Sequence, residues 1–125
     1  MQLTQELPDH AYVLRAADGA NARVNDRVLH DSFILAPDQL IEDWPARDPQ
    51  ALQPADLHPV LDLQPELILL GTGATQVFPA PAVLAACMTR GIGIEVMNNA
   101  AAARTFHVLA SEGRRVVAAF LLSGA

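Results

Sequence analysis

The sequence predicts an α/β fold. It is read as a single domain, 1–125, with a central mixed sheet, a βαβαβ C-terminal half, helices packed on that sheet and an N-terminal antiparallel β layer. Three observations carry this expectation. The run Leu-Ile-Leu-Leu at 67–70 is a short apolar strand stopped by Gly71. A second short run at 93–97 leads through Asn98 and Asn99 into an alanine-rich stretch at 100–112 that favours helix. A third run at 115–122 is too continuously apolar for a strand with one wet face, so it belongs deep in a covered sheet.

The totals suit one globular core: 125 residues, 51% hydrophobic and 18% charged. Fourteen acidic against 8 basic side chains give a formal net charge of -6, which opposes attraction to nucleic acid or to anionic lipid. No apolar run is long enough to cross a bilayer, and the first residues lack the basic-then-apolar order of a signal peptide. A cytoplasmic protein without membrane insertion is expected. The lone cysteine, Cys87, falls in a helical stretch and reads as a small buried hydrophobe.

In chain order, 1–8 has no strong pattern and reads as a loose arm. Strands are expected at 12–16 and 23–29, joined by a hairpin over Asp18, Gly19, Ala20 and Asn21, residues that tolerate positive φ. Alternation in the second of these is imperfect, as in an edge strand. A third strand at 32–35 closes at Pro37, and 39–44 is a further extended piece. Five prolines, Pro45, Pro49, Pro54, Pro59 and Pro65, exclude long elements from 45–65. That segment is expected to wrap the core through Leu52, Leu57, Val60, Leu61 and Leu63, with one or two helical turns near 55–61.

Pro79 and Pro81 precede a helix at 82–90 that Gly91 stops. Strand, helix and strand within so short a span predict parallel pairing of 67–70 with 93–97. On the last helix, Ala102, Thr105, Phe106 and Leu109 are expected to face the sheet, with Arg104, His107 and Ser111 opposite. Asn98 or Asn99 supplies the N-cap and Gly113 the stop.

Parallel strands ending near 70 and 97 set the loops 71–76 and 98–100 side by side, where a crevice is expected. Gly71, Thr72, Gly73, Asn98, Asn99, Arg104 and Thr105 are the candidate ligand-binding residues, suited to a carboxylate or other small anion. Capping and turn formation is the structural use of the same asparagines. A dinucleotide site does not follow, because Gln76 replaces the third glycine and two prolines delay the helix. The four histidines show no metal-ligand spacing and no acid–base pair accompanies His107, so neither metal, cofactor nor catalytic residue is assigned. Trp44 and Phe78, if left at the surface, are candidate anchors for a partner protein.

Read together, Leu-Ile-Leu-Leu-Gly-Thr-Gly at 67–73, Gly-Ile-Gly-Ile-Glu-Val-Met at 91–97, Ala-Ala-Ala-Arg-Thr-Phe at 101–106, Leu109, Glu-Gly-Arg at 112–114 and Val-Val-Ala-Ala at 116–119 resemble the small Mth-domain family. Ser-Phe-Ile-Leu-Ala-Pro at 32–37 and Trp44 extend the likeness over most of the chain. The family includes the mitochondrial respiratory complex I assembly factor and the adipogenesis-associated Mth domain protein. The resemblance implies one compact α/β domain and an assembly role through protein contacts. The family commonly has Asp-Thr where Asn98 and Asn99 stand, Cys at Ala103, and Tyr-Asn at Phe106 and His107. An acid, a thiol and a phenol are therefore missing from the expected crevice. The expected function is non-enzymatic protein interaction or complex assembly by a monomer or weak homo-oligomer, with respiratory complex I as one implied destination. The competing expectation is a small-anion or metabolite-binding module at the two loops.

Overall fold

The computed structural model describes residues 12–123; the arm expected at 1–8 lies outside them. Leu14–Ala17 (β1), Ala22–Val24 (β2) and Arg27–Leu29 (β3) form an antiparallel three-stranded sheet in the order β1-β2-β3. Its first hairpin is the expected one. The Asp18 carboxylate accepts from Ala20 N (2.8 Å) and Asn21 N (2.7 Å), and among its loop residues none takes a positive φ. The single strand expected at 23–29 is instead two strands folded at Asn25 and Asp26. Asn25 adopts φ 54°, its backbone N donates to Val13 O, and its side-chain oxygen accepts from Val13 N, so the residue that turns the chain is also tied to the chain just before β1.

Phe33–Ala36 (β4) and Gln39–Ile41 (β5) make a hairpin, followed by 3-10 turns at Pro49–Ala51 and Pro54–Leu57 and one helical turn at His58–Leu61 (α1). Then come Leu67–Gly71 (β6), Pro81–Met88 (α2), Gly93–Met97 (β7), Asn99–Ser111 (α3) and Val116–Phe120 (β8). These strands build a mixed five-stranded sheet in the order β5-β4-β8-β6-β7. β6 runs parallel to both β7 and β8, and β4 antiparallel to β8. As expected of so apolar a strand, β8 is central, and each of its residues is buried.

Period-two alternation divides the core between the faces of this sheet. Phe33, Leu35, Leu69, Ala118 and Phe120 look toward α3 and the three-stranded sheet. Ile34, Ile68, Leu70, Val117 and Ala119 look toward α2 and the proline-rich wrap. Phe33 and Phe120, paired across β4 and β8, stack with ring centroids 4.9 Å apart. The wrap is held as expected by buried Leu52, Leu57, Val60 and Leu61.

Both long helices end in glycine-terminated hydrogen-bond patterns. Gly91 (φ 73°) and Gly113 (φ 78°) let Ile92 N donate to Cys87 O and Arg114 N to Leu109 O. The buried stripe of α3 is Asn99, Ala102, Ala103, Phe106 and Ala110; Leu109 is partly buried and packs against the same core, as expected, and Thr105 is half-buried. α3 sits against two layers, β6 and β8 below it and β1 at its flank.

Candidate functional site

The loops 71–76 and 98–100 adjoin as the parallel topology requires, but the space where they meet is taken by the side chain of Asn99. Its Oδ1 accepts from Gly73 N (3.1 Å), and its Nδ2 donates to Asp18 O (2.7 Å) and Leu121 O (3.0 Å). Asn99 N also donates to Gly73 O (2.8 Å). Gly71 is required by close approach, because a Cβ there would meet Asn99 Oδ1 and come within 3.0 Å of Phe120 Cδ1. Gly73 needs its glycine for a φ of 100°. Thr72, also buried, donates to Thr75 O (2.7 Å) and accepts from Val77 N (3.0 Å). Gln76 ties the loop to β7 by donating to Val96 O (2.9 Å). Four of the seven candidate ligand residues, Gly71, Thr72, Gly73 and Asn99, thus come together as an interior hydrogen-bonded junction.

The other three are placed differently. Asn98 is the N-cap of α3, accepting from Ala101 N (2.8 Å). Thr105 donates back to Ala101 O (2.9 Å) within the helix. Arg104 is exposed on the flank of α3, where it borders an open groove of about 700 Å³ between α3 and β1. Leu14, Ala103 and Val108 supply apolar wall, while Arg15 and His107 stand on the rim with Arg104. Sequence reasoning placed Arg104 and His107 on one helix face but missed this groove, because its opposite wall comes from a strand nearly the whole chain away. The basic residue at 15 was the one available signal.

Of the two partner anchors, Trp44 is corrected. It is only 4% exposed, and its indole Nε1 donates to Asp56 O (2.9 Å), so it pins the proline-rich wrap to the core. Phe78 is 61% exposed just before α2. That helix has no polar side chain, yet Pro81, Ala82, Ala85 and Met88 are exposed along its outer face, Met88 at 66%.

The titratable groups are mostly local structure. Backbone N–H groups of Asn21 and Ala20 hold the Asp18 carboxyl below its ordinary range. The hydrogen bond from Arg115 does the same for Asp38, and burial pushes the Cys87 thiol up. Among the described residues four arginines form ion pairs: Arg27 with Glu42, Arg47 with Asp31, Arg114 with Glu66 and Arg115 with Asp38. Among the described residues no three His, Cys, Asp or Glu side chains cluster as a metal site, and no helix is long and apolar enough to cross a membrane.

Known proteins share this architecture. The NMR structure of XCC1710 from Xanthomonas campestris is 60% identical, with a TM-score of 0.85 over 99% of this chain and 94% of that one. A Bordetella pertussis protein whose solution structure is described as a Mth938-like domain is 27% identical with a TM-score of 0.78, covering 97% of this chain and 92% of that one. The "13 kDa major membrane protein" of Francisella tularensis subsp. holarctica (strain LVS) is 30% identical over 85 residues, 67% of this chain and 69% of that protein. With residues 15–121 matching the family described as "Protein of unknown function (DUF498/DUF598)", the chain belongs to that family.

Proposed function

We propose that the chain is a non-enzymatic protein-interaction module that docks a partner on the outer face of α2. The supporting observation is the composition of that helix. Pro-Ala-Val-Leu-Ala-Ala-Cys-Met is apolar on every side, whereas only Val83 and Cys87 are fully buried. A helix of this kind is ordinarily covered all round, and contiguous exposed apolar surface marks an interaction site. Met88 at the end of the helix and Phe78, three residues before its start, are exposed large side chains of the type that anchor interfaces. β7, at the end of the five-stranded sheet, lies beside it, and no other described strand pairs with its outer edge. A role as a complex-assembly helper, with a respiratory complex I link, rests on the resemblance to the Mth-domain family alone. We assign the encounter to the cytosol and prefer it to a small-anion site at the 71–76 and 98–100 loops, where the Asn99 amide is already engaged by backbone.

The test compares wild type with Phe78→Glu and Met88→Glu, using Val28→Glu as control because Val28 is 50% exposed in β3, outside the α2 patch. Mild affinity purification from the native cells with mass spectrometry should give a stoichiometric protein held by wild type and Val28→Glu and lost from the other two. Identical co-purifying sets in all four samples would sink the proposal. Flotation of wild type, but not Phe78→Glu, with phosphatidylethanolamine–phosphatidylglycerol vesicles would replace the protein partner by a membrane surface. That outcome would agree with the name of the Francisella relative.

A further inference from the structure

We propose that the groove between β1 and α3 binds a small amphipathic anion, a carboxylate carried on a short apolar body. It is a different surface from the α2 face and stands independently of the partner proposed there.

The volume, about 700 Å³, is that of a small-molecule site. Its walls divide the labour that such a ligand requires. Leu14, Ala103 and Val108 offer apolar surface, and the small Ala103 leaves room between helix and strand. The rim carries Arg15, Arg104 and His107, and no Asp or Glu is among the described residues that line it. This local bias runs against the formal charge of -6.

The arginines sharpen the point. All 8 basic residues are arginine, and Arg27, Arg47, Arg114 and Arg115 each face a carboxylate. Among the described residues Arg15, Arg23, Arg90 and Arg104 have no ion pair, and two of these four, Arg15 and Arg104, border the same groove. Among the described residues Arg15 gives only Nε to the chain, donating to Asn25 O at 3.3 Å. A guanidinium fork fits a carboxylate with two parallel hydrogen bonds and carries a smaller hydration cost than an ammonium. An inorganic anion would satisfy the arginines and leave the apolar wall wet; a neutral hydrocarbon would do the reverse. A carboxylate with an apolar body answers both.

The probe is octanoate, titrated into the ¹⁵N-labelled full chain and followed by NMR, with octanol, octylamine and inorganic phosphate as comparators. The expected result is saturable shifts of the resonances in 13–17 and 100–108, with octanol and octylamine at least about tenfold weaker. Arg15→Gln plus Arg104→Gln should weaken octanoate by about tenfold or more, while Arg90→Gln, an exposed arginine outside the groove, binds as wild type does. All these arginines are exposed, and the same spectra report whether each variant is folded. Equal affinity for octanoate and octanol would reduce the groove to a greasy surface and overturn the proposal. So would phosphate binding as well as octanoate, shifts confined to α2, an unaffected double variant, or no saturable shift at all. A hexameric acidic peptide that binds more tightly than octanoate would also overturn it, by making an extended protein segment the occupant.

Discussion

Asn99→Ala should be among the most damaging polar substitutions in this protein. It deletes one amide that engages three backbone groups: Gly73 N, Asp18 O and Leu121 O. The bond to Leu121 O is fully buried and the other two are partly so. Taking about 1 kcal/mol for each part-buried bond and about 2 kcal/mol for orphaning the buried carbonyl, the loss is about 4 kcal/mol. Against a domain stability of about 5–15 kcal/mol that is a large share, and for this chain length it lowers Tm by about 15 °C. Urea unfolding followed through the single buried tryptophan, Trp44, measures it directly. A second variant separates junction chemistry from simple loss of volume. Gly71→Ala alone should cost about 1–3 kcal/mol by overpacking, since its new Cβ meets Asn99 Oδ1. In the Asn99→Ala background that obstruction is gone, so the two losses should fall short of additivity by about 1 kcal/mol or more. A loss below about 1 kcal/mol for Asn99→Ala, or strict additivity in the double variant, would refute the claim that these residues form one interlocked unit.

Three further outcomes are expected. Ser32 is buried and its hydroxyl accepts from Leu122 N (3.0 Å), so Ser32→Ala should cost about 1–3 kcal/mol, whereas Ser111→Ala on the exposed end of α3 should stay within about 0.5 kcal/mol. Asp38 has its folded pKa lowered by Arg115, so its contribution is complete above the ordinary value of 3.8 and lost as pH falls through the lower folded value. Wild type should therefore exceed Asp38→Asn slightly in chemical-denaturation midpoint near neutral pH, with the difference vanishing on acidification; a difference that grows in acid would reverse the assigned sign. The buried Cys87 thiol, raised in pKa, should react with a disulfide reagent at mildly alkaline pH only as fast as the chain opens, and rapid labelling of the folded protein would contradict its burial.

The parts of the fold legible in the sequence were those governed by local pattern. An unbroken apolar run such as 116–120 has no wet face to offer, and its central place in the sheet follows from that alone. Glycines after 90 and 112 marked the helix ends because each takes a left-handed φ there. Imperfect alternation over 23–29 was itself the trace of a turn. Val24 and Leu29 are buried and Val28 exposed, a set that no single strand satisfies but that the Ala22–Leu29 and Val24–Arg27 register explains. Adjacent asparagines look alike in sequence, yet Asn98 caps a helix while Asn99 turns inward to partners 22, 26 and 81 residues away. That distinction, the burial of Trp44 and the β1–α3 groove all depend on pairings between distant segments, which local periodicity does not encode.

The order β5-β4-β8-β6-β7 has a consequence for how the molecule is made. β4 and β6 do not pair with each other; both bond to β8, the last described strand in the chain. During synthesis the β4–β5 hairpin and the β6–β7 pair therefore emerge as separate pieces, each with an unpaired apolar edge. They remain so until residues 116–120 clear the ribosome. At about 5–20 residues per second, several seconds separate the emergence of β4 from that of β8. Over that interval the nascent chain carries two sticky strand edges of the kind that seed aggregation. Folding can close only by threading one late strand between two earlier ones, a long-range step of the sort that slows β-rich topologies. A chain shortened before β8 would lose the one strand that joins both halves, and its yield should be limited by solubility.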